Sequence, residues 1–222
     1  MALNRSADSI IVIDGPAGAI EILVDKPAPE VKPKGFALIA HPHPLHGGTN
    51  ENKVVQTLAR ALVQIGYVCW RPNFRGVGGS AGQYDEGKGE TQDLLAVLVA
   101  AKAQLSSQGI DCDMPVLAGF SFGSFVQSHV AAALDSAGES YERLILVGAA
   151  TERFDLAPVR ADTLVIHGEK DEVITLASVF DWARPQGLPV VVVPDTDHFF
   201  NRKLVTLKQL ILGAWCVRSP PQ

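Results

Sequence analysis

The residues whose types and spacing suggest chemistry lie first in the segment Gly119-Phe120-Ser121-Phe122-Gly123. The short apolar run Val116 to Ala118 precedes this segment and a helix-like pattern follows it, which predicts a strand, a sharp turn and a helix. The backbone of a serine at such a turn is strained, and glycines two residues away remove side chains that would collide with the neighbouring strand and helix. The spacing therefore predicts that the Ser121 hydroxyl is exposed as a nucleophile. The alternative is a glycine-bracketed loop in which the serine has no chemical role.

Two backbone amides are predicted to stabilise the negative oxygen that forms when such a nucleophile attacks a carbonyl. The Phe122 amide would lie in the first turn of the helix, where unpaired N–H groups and the helix dipole favour an anion. The second donor is expected in the loop after an apolar strand further upstream. Proline has no N–H, so Pro42 and Pro44 are excluded and the amides of His43 and Leu45 remain. His43 is the first choice, with Leu45 as the alternative.

A serine hydroxyl becomes a good nucleophile when a base takes its proton, and the base needs an acid to orient it. In a parallel sheet, such groups belong in the loops after the carboxyl ends of strands. A predicted strand ending at Ile166 runs into a loop that contains Asp171, and one ending at Val193 runs into a loop that contains His198. These positions predict Ser121 as nucleophile, Asp171 as acid and His198 as base. A histidine in a surface loop is the alternative reading of His198.

Other carboxylates compete with Asp171 for the role of the orienting acid. Asp171 could instead cap a helix, and then Glu169 or Glu172 would be the acid. Asp195 and Asp197 lie beside the predicted base His198 in the sequence. Side chains so close along the chain rarely converge as a triad requires, so these two are the least favoured.

The sequence predicts no cofactor and no metal. His41, His43 and His46 invite a metal-dependent alternative, but their spacing is not that of H-E-x-x-H and the intervening prolines stiffen the loop. His167 is expected to end its strand as a packed, hydrogen-bonded side chain. The glycine-rich residues 76–82 form neither a Walker loop nor a dinucleotide-binding fingerprint, so nucleotide binding has little support.

The elements that must position these residues alternate between strands and helices. This alternation predicts an α/β fold with a mostly parallel sheet of about seven or eight strands, helices on both faces and an N-terminal β-hairpin. The predicted strands are residues 9–13, 19–25, 36–40, 67–71, 116–118, 143–147, 162–166 and 189–193. The predicted helices are residues 51–65, 90–105, 122–134, 175–183 and 202–215.

Length and composition narrow the classes of protein. With 222 residues, of which 47% are hydrophobic, the chain is expected to form a single domain over residues 1–222. A net charge of −5 provides no basic surface for nucleic acid or an anionic membrane. Cys69, Cys112 and Cys216 are far apart and odd in number, which predicts neither a disulfide framework nor a zinc site. No signal-peptide core or membrane-length apolar run is present, so a cytoplasmic protein is expected.

Five segments together resemble a known family over nearly the whole chain. They are His41 to Gly48, Asn52 to Val55, Asn73 to Ser80, Gly119 to Gly123 and Asp195 to Phe200. In these motifs and their order the sequence resembles the α/β-hydrolase superfamily, and in particular the small bacterial serine hydrolases without a lid, of the dienelactone-hydrolase-like and esterase-like branch. The resemblance implies the α/β-hydrolase fold, a triad in the order serine, acid, histidine, and activity on carboxylic esters.

The expected absence of a cap domain bears on the substrate. Many relatives insert a cap between the two strands predicted here at residues 143–147 and 162–166. In this chain only residues 149–161 connect these strands, a length that allows one loop or helical turn. An open site favours small, soluble esters or thioesters over emulsified lipids. Six aromatic residues are candidates to line the acyl site, although core packing is expected for at least half of them. They are Phe74, Tyr84, Phe120, Phe125, Phe154 and Phe199.

The same residues allow other functions. An acyltransferase or a peptidase would use the same triad, and a non-catalytic ligand-binding protein could be built on the same scaffold. The predicted partner is a small ester or thioester, and the predicted oligomeric state is a monomer or a homodimer.

Overall fold

The computed structural model describes residues 9–216, without the side chain of Cys216. Met1 to Asp8, on which the expectation about a signal peptide partly depends, lie outside the described residues. The strands are β1 Ser9–Gly15, β2 Gly18–Asp25, β3 Gly35–Ala40, β4 Tyr67–Pro72, β5 Val116–Phe120, β6 Arg143–Val147, β7 Leu164–Gly168 and β8 Val190–Val193. The helices are α1 Lys53–Ile65, α2 Lys88–Ser106, α3 Phe122–Ser136, α4 Leu176–Ala183 and α5 Leu204–Cys216.

The strands form one eight-stranded sheet in the order β1-β2-β4-β3-β5-β6-β7-β8. The hairpin β1–β2 is antiparallel, β2 pairs antiparallel with β4, and all the pairs from β4 to β8 are parallel. The predicted fold class is thereby confirmed, including the N-terminal hairpin. Because β3, β5, β7 and β8 are parallel, the loops after their carboxyl ends lie along one edge of the sheet.

Most of the core lies in two apolar layers, one on each face of the sheet, and a smaller cluster includes Val165 of β7 and Val179 of α4. Phe36 and Leu38 of β3 point into the layer covered by α2 and α3, whereas Ala37 and Ile39 point into the layer covered by α1 and α5. Successive strand residues point to opposite faces, so a strand buried on both sides must be apolar at every position. This explains the continuous apolar run in β3.

The element boundaries differ from the sequence-based predictions by only a few residues. Helix α1 begins at Lys53 instead of residue 51, because the side chain of Asn52 accepts a hydrogen bond from the Val54 amide and caps the helix. Strand β7 runs from Leu164 to Gly168, two residues beyond the prediction, so His167 lies inside the strand. Helix α5 begins two residues later than predicted, at Leu204.

The connection between β6 and β7 contains only turns and irregular backbone, as its length predicted. No cap is inserted there. Within residues 9–216, no helix is long and apolar enough to cross a bilayer.

Candidate active site

The turn between β5 and α3 has the strained geometry that its glycines predict. Ser121 has φ 55° and ψ −120°, a conformation that costs an L-residue about 1–3 kcal/mol. A Cβ atom at Gly119 would lie 2.3 Å from the Gly123 carbonyl oxygen, and one at Gly123 would lie 2.4 Å from the Ala40 carbonyl oxygen. Both glycines are therefore required by the close approach of backbone to backbone. The Ser121 amide donates to the Val147 carbonyl at 2.9 Å, which ties the turn to β6.

The loops after β7 and β8 bring two side chains to Ser121. His198 Nε2 lies 3.0 Å from Ser121 Oγ, and His198 Nδ1 lies 2.6 Å from Asp171 Oδ2. The three side chains are nearly enclosed, since the exposed fractions of Ser121, Asp171 and His198 are 9%, 6% and 3%. The three residues proposed from the sequence thus form one continuous chain of hydrogen bonds.

The protonation of Asp171 follows from its surroundings. Burial raises the pKa of this carboxyl, but the hydrogen bond and charge of His198 and the amide of Ile174 outweigh burial and lower the pKa overall. Asp171 Oδ1 accepts the amides of Val173 at 2.9 Å and Ile174 at 2.8 Å. An ionised Asp171 favours the proton on Nδ1 of His198 and leaves Nε2 as an acceptor facing the Ser121 hydroxyl.

The competing carboxylates have other partners or face solvent. Glu169 accepts the amide of Asp195, and Asp195 pairs with Lys170 at 2.5 Å. Asp197 accepts both the amide and the side-chain N–H of Asn201. Glu172 is exposed to solvent. The carboxylate on the His198 ring is that of Asp171, which also caps the turn after it, so the capping role and the contact with His198 coexist.

The loop after β3 packs against the turn that carries Ser121. A Cβ at Gly123 would also lie 2.6 Å from the His41 carbonyl oxygen, which shows how closely the two segments approach. The Leu45 amide is already used, because it donates to His43 Nδ1 at 3.2 Å. Within the described residues, the amides of His43 and Phe122 have no hydrogen-bond acceptor.

His41 joins two loops at the edge of the site. Its Nε2 accepts the Phe74 amide at 2.9 Å, and its Nδ1 lies 2.6 Å from the Pro42 carbonyl oxygen. Burial lowers the pKa of His41 to about 4, so the ring is neutral. Both ring nitrogens are therefore engaged in the protein. In residues 9–216, no three histidine, cysteine or carboxylate side chains are grouped so that they could hold a metal ion.

The loop after β4 is held by Arg75. Its guanidinium donates to both carboxylate oxygens of Asp93 at 2.8 Å and to the Gly89 carbonyl at 2.8 Å. Bidentate pairing of this kind fixes a planar geometry. Arg75 thus connects the loop to α2.

Sequence reasoning missed two glycines behind the histidine. A Cβ at Gly148, which has φ 55°, would lie 3.2 Å from His198 Cε1, and one at Gly168 would lie 2.4 Å from the Thr196 carbonyl oxygen. Gly148 therefore allows the imidazole to pack onto the end of β6, and Gly168 allows the His198 loop to approach β7. Gly148 directly follows the apolar run of β6, and Gly168 follows His167 at the end of β7; these positions were the available signal.

Aromatic rings surround one side of the site. The Phe122 ring lies 4.9 Å from His43, 5.7 Å from Tyr84 and 5.1 Å from Phe154, measured between ring centroids. Of the six predicted aromatic candidates, half belong to the core and half are at least partly exposed. The buried ones are Phe74, Phe120 and Phe125, and the others are Tyr84, Phe154 and Phe199.

Comparison with known proteins identifies the class to which this fold and site belong. An α/β serine hydrolase without a lid from Xanthomonas campestris is 37% identical over 99% of this chain and 100% of its own, with a TM-score of 0.85. An α/β serine hydrolase homologue from Coxiella burnetii is 35% identical over 96% of this chain and 99% of its own, with a TM-score of 0.82. The chain belongs to the α/β-hydrolase superfamily, among serine hydrolases that lack a lid.

A curated relative extends the comparison by sequence alone. An uncharacterized protein from Rickettsia prowazekii (strain Madrid E) is 30% identical over 206 residues, which span 87% of this chain and 82% of that protein. No family profile matches the chain.

Proposed function

We propose that this protein hydrolyses small carboxylic esters or thioesters through an acyl-enzyme on Ser121. The observation that carries this proposal is the unbroken series of hydrogen bonds from Ser121 Oγ through His198 to Asp171. A buried serine, imidazole and carboxylate in this order provide a nucleophile, a general base and an orienting acid.

The geometry supports the following sequence of steps. His198 Nε2 takes the proton of Ser121 Oγ as that oxygen attacks the carbonyl carbon, and the ionised Asp171 stabilises the imidazolium. The imidazolium then gives its proton to the leaving oxygen or sulfur as the bond to the carbonyl carbon breaks. Water attacks the acyl-enzyme with His198 again as base, and the acid leaves as Ser121 recovers its proton.

The negative oxygen that forms during attack is assigned to the amides of Phe122 and His43. Both N–H groups are without an acceptor among the described residues, and both belong to segments that meet at the turn carrying Ser121. The Leu45 amide is the less favoured alternative, since it already donates to His43 Nδ1. Unpaired amides held by the fold can stabilise the developing charge without reorganising.

The short connection between β6 and β7 supports a small substrate. Without a cap, nothing in the described residues covers the site with a large apolar surface, so a long acyl chain would remain largely in water. We expect short soluble esters to be hydrolysed in preference to emulsified long-chain esters. Preference for emulsified substrates would contradict this part of the proposal.

The decisive test is labelling with a fluorophosphonate, a reagent that forms an adduct with activated serines. Intact mass would be measured for wild type, Ser121→Ala and Ser136→Ala, the last removing a hydroxyl that only donates to the Ala132 carbonyl on α3. We expect one adduct on wild type and Ser136→Ala and none on Ser121→Ala. Hydrolysis of a short ester by Ser121→Ala should fall by about a thousand-fold or more.

Two results would contradict the proposal. One is a folded wild-type protein that is not labelled, and the other is a Ser121→Ala variant that keeps its activity. An acyltransferase would form the same adduct. Added alcohols that divert the acyl group into new esters at the expense of hydrolysis would identify that function.

A further inference from the structure

His167 lies behind the acid of the triad and takes no part in the steps described above. It is fully buried near the end of β7. Its Nε2 atom lies 2.9 Å from the Ile174 carbonyl oxygen and 3.4 Å from Asp171 Oδ2. This carboxylate oxygen is the one that also contacts His198 Nδ1.

The tautomer of His167 follows from its neighbours. Burial lowers the pKa of this imidazole more than the nearby charge of Asp171 raises it, so the ring is neutral and has one N–H. Both atoms close to Nε2 are acceptors, whereas Nδ1 has no partner among the described residues. The single N–H is therefore at Nε2, directed at the Ile174 carbonyl and at Asp171.

His167 contacts two features that determine the position of the acid: the turn that follows Asp171 and the carboxylate of Asp171 itself. Asp171 Oδ1 is fixed by the amides of Val173 and Ile174, which belong to the turn following it. His167 holds the same turn through the Ile174 carbonyl, and it approaches the second carboxylate oxygen directly. A loss of this N–H would leave the Asp171 carboxylate held only by the amides of its own turn and by His198 itself.

We infer that His167 is a positioning residue that keeps the Asp171 carboxylate in line with His198 through the N–H at Nε2. This inference rests on the proposed function, because it assigns a role within the same triad. His167 does not touch the substrate, so it acts on the rate of the chemical steps and leaves substrate binding unchanged.

Three variants separate this role from packing. The side-chain amide of His167→Gln can place an N–H where Nε2 lies, whereas the shorter His167→Asn reaches only the position of Nδ1, and His167→Leu has no donor. The rate constant for fluorophosphonate labelling would be measured for each, together with kcat and KM on a short ester. Melting temperatures would report stability separately.

We expect labelling and kcat of His167→Leu and His167→Asn to fall by about ten-fold or more, since small errors in positioning lower rates strongly. KM should stay within about two-fold. His167→Gln should recover most of the lost rate. If the role of His167 were merely structural, its substitution would change the melting temperature, but the rates of His167→Gln and His167→Asn would not differ in this way.

The outcomes are distinguishable. If wild type is labelled and His167→Leu reacts equally fast, the inference about His167 is wrong while the proposed function stands. The inference is also wrong if His167→Gln and His167→Asn lose the same rate. If folded wild type is not labelled at all, the proposed function fails and the inference fails with it.

Discussion

At the scale of single residues, the buried histidines of this protein have different roles because their ring nitrogens have different hydrogen-bond partners. His198 has a carboxylate on one nitrogen and a hydroxyl on the other, which suits proton transfer. His41 has a backbone amide on one nitrogen and a backbone carbonyl on the other, which suits it to join loops. The amide needs an acceptor at Nε2, so His41 can keep this contact only while it is neutral.

We predict that protonation of His41 lowers the free energy of unfolding of the protein in mild acid. Its pKa is lowered by burial from 6.5 to about 4, so its contribution is fully present above pH 6.5 and is lost as the pH falls toward 4. The loss amounts to about 3 kcal/mol in the free energy of unfolding. The variant His41→Gln keeps an acceptor for the Phe74 amide and does not titrate. Urea denaturation between pH 4 and pH 8 should show a smaller acid loss in this variant.

All the other titrating groups are shared between wild type and His41→Gln, so the difference between the two stability curves isolates His41. The expected difference grows as the pH falls from 6.5 to 4. Parallel curves over this range would show that His41 does not titrate as its burial implies.

At the scale of elements, the strand–turn–helix unit that carries Ser121 depends on the close approach of three backbone segments. Gly119 on β5 faces the first turn of α3, and Gly123 on α3 faces the end of β3. The helix therefore begins directly above the sheet, with its unpaired amides beside the serine. The strained backbone of Ser121 is held in place by these contacts and by the hydrogen bond to Val147.

We predict that Gly123→Ala destabilises the protein by about 3 kcal/mol or more and abolishes labelling of Ser121, since the new methyl would meet backbone that cannot move aside. The matched control is Gly213→Ala in α5, where a Cβ would meet nothing within 4 Å. The control should gain about 0.5–1 kcal/mol, because alanine favours a helix over glycine. Free energies of unfolding in urea would measure both. Similar stabilities for the two variants would contradict the close approach at Gly123.

At the scale of the whole molecule, charge distinguishes between neutral and anionic substrates. The chain has a net charge of −5. An open depression of about 470 Å³ adjoins His198, and its charged lining residues are three acids and one base. They are Glu172, Asp195, Asp197 and Lys170. The field of these charges opposes the approach of anionic substrates.

We predict that a neutral N-acetylcysteamine thioester is hydrolysed with a higher kcat/KM than the coenzyme A thioester of the same acyl group, whose phosphates are negatively charged. Added salt should narrow the difference because it screens exposed charges. Glu172→Lys should narrow it as well. The matched control Glu30→Lys makes the same change in net charge on the connector before β3, at the opposite edge of the sheet. Equal rates for both thioesters in wild type at low salt would contradict the prediction.

The sequence by itself determined the fold class and the turn at Ser121. Both depend on local patterns: apolar runs buried on two faces, helical spacing, and glycines where two backbones approach. Local patterns also placed Asp171 and His198 in loops after strands, which made them candidates. The helix and strand ends were displaced by a few residues, because single caps such as Asn52 set them.

Only the tertiary structure decided which of these candidates meet. His198 contacts residues 27 and 77 positions away in the chain, and such contacts depend on strand order and register. Spacing favoured Asp171 as the acid and the His43 amide as a donor, but it could not place the Asp171 carboxylate on the His198 ring. Nor could it predict the contact of His167 with Asp171. Spacing along the chain predicts which face or loop a residue occupies. A hydrogen bond requires two atoms within about 3 Å of each other. For residues far apart in the chain, only packing across the sheet sets this distance between the two atoms.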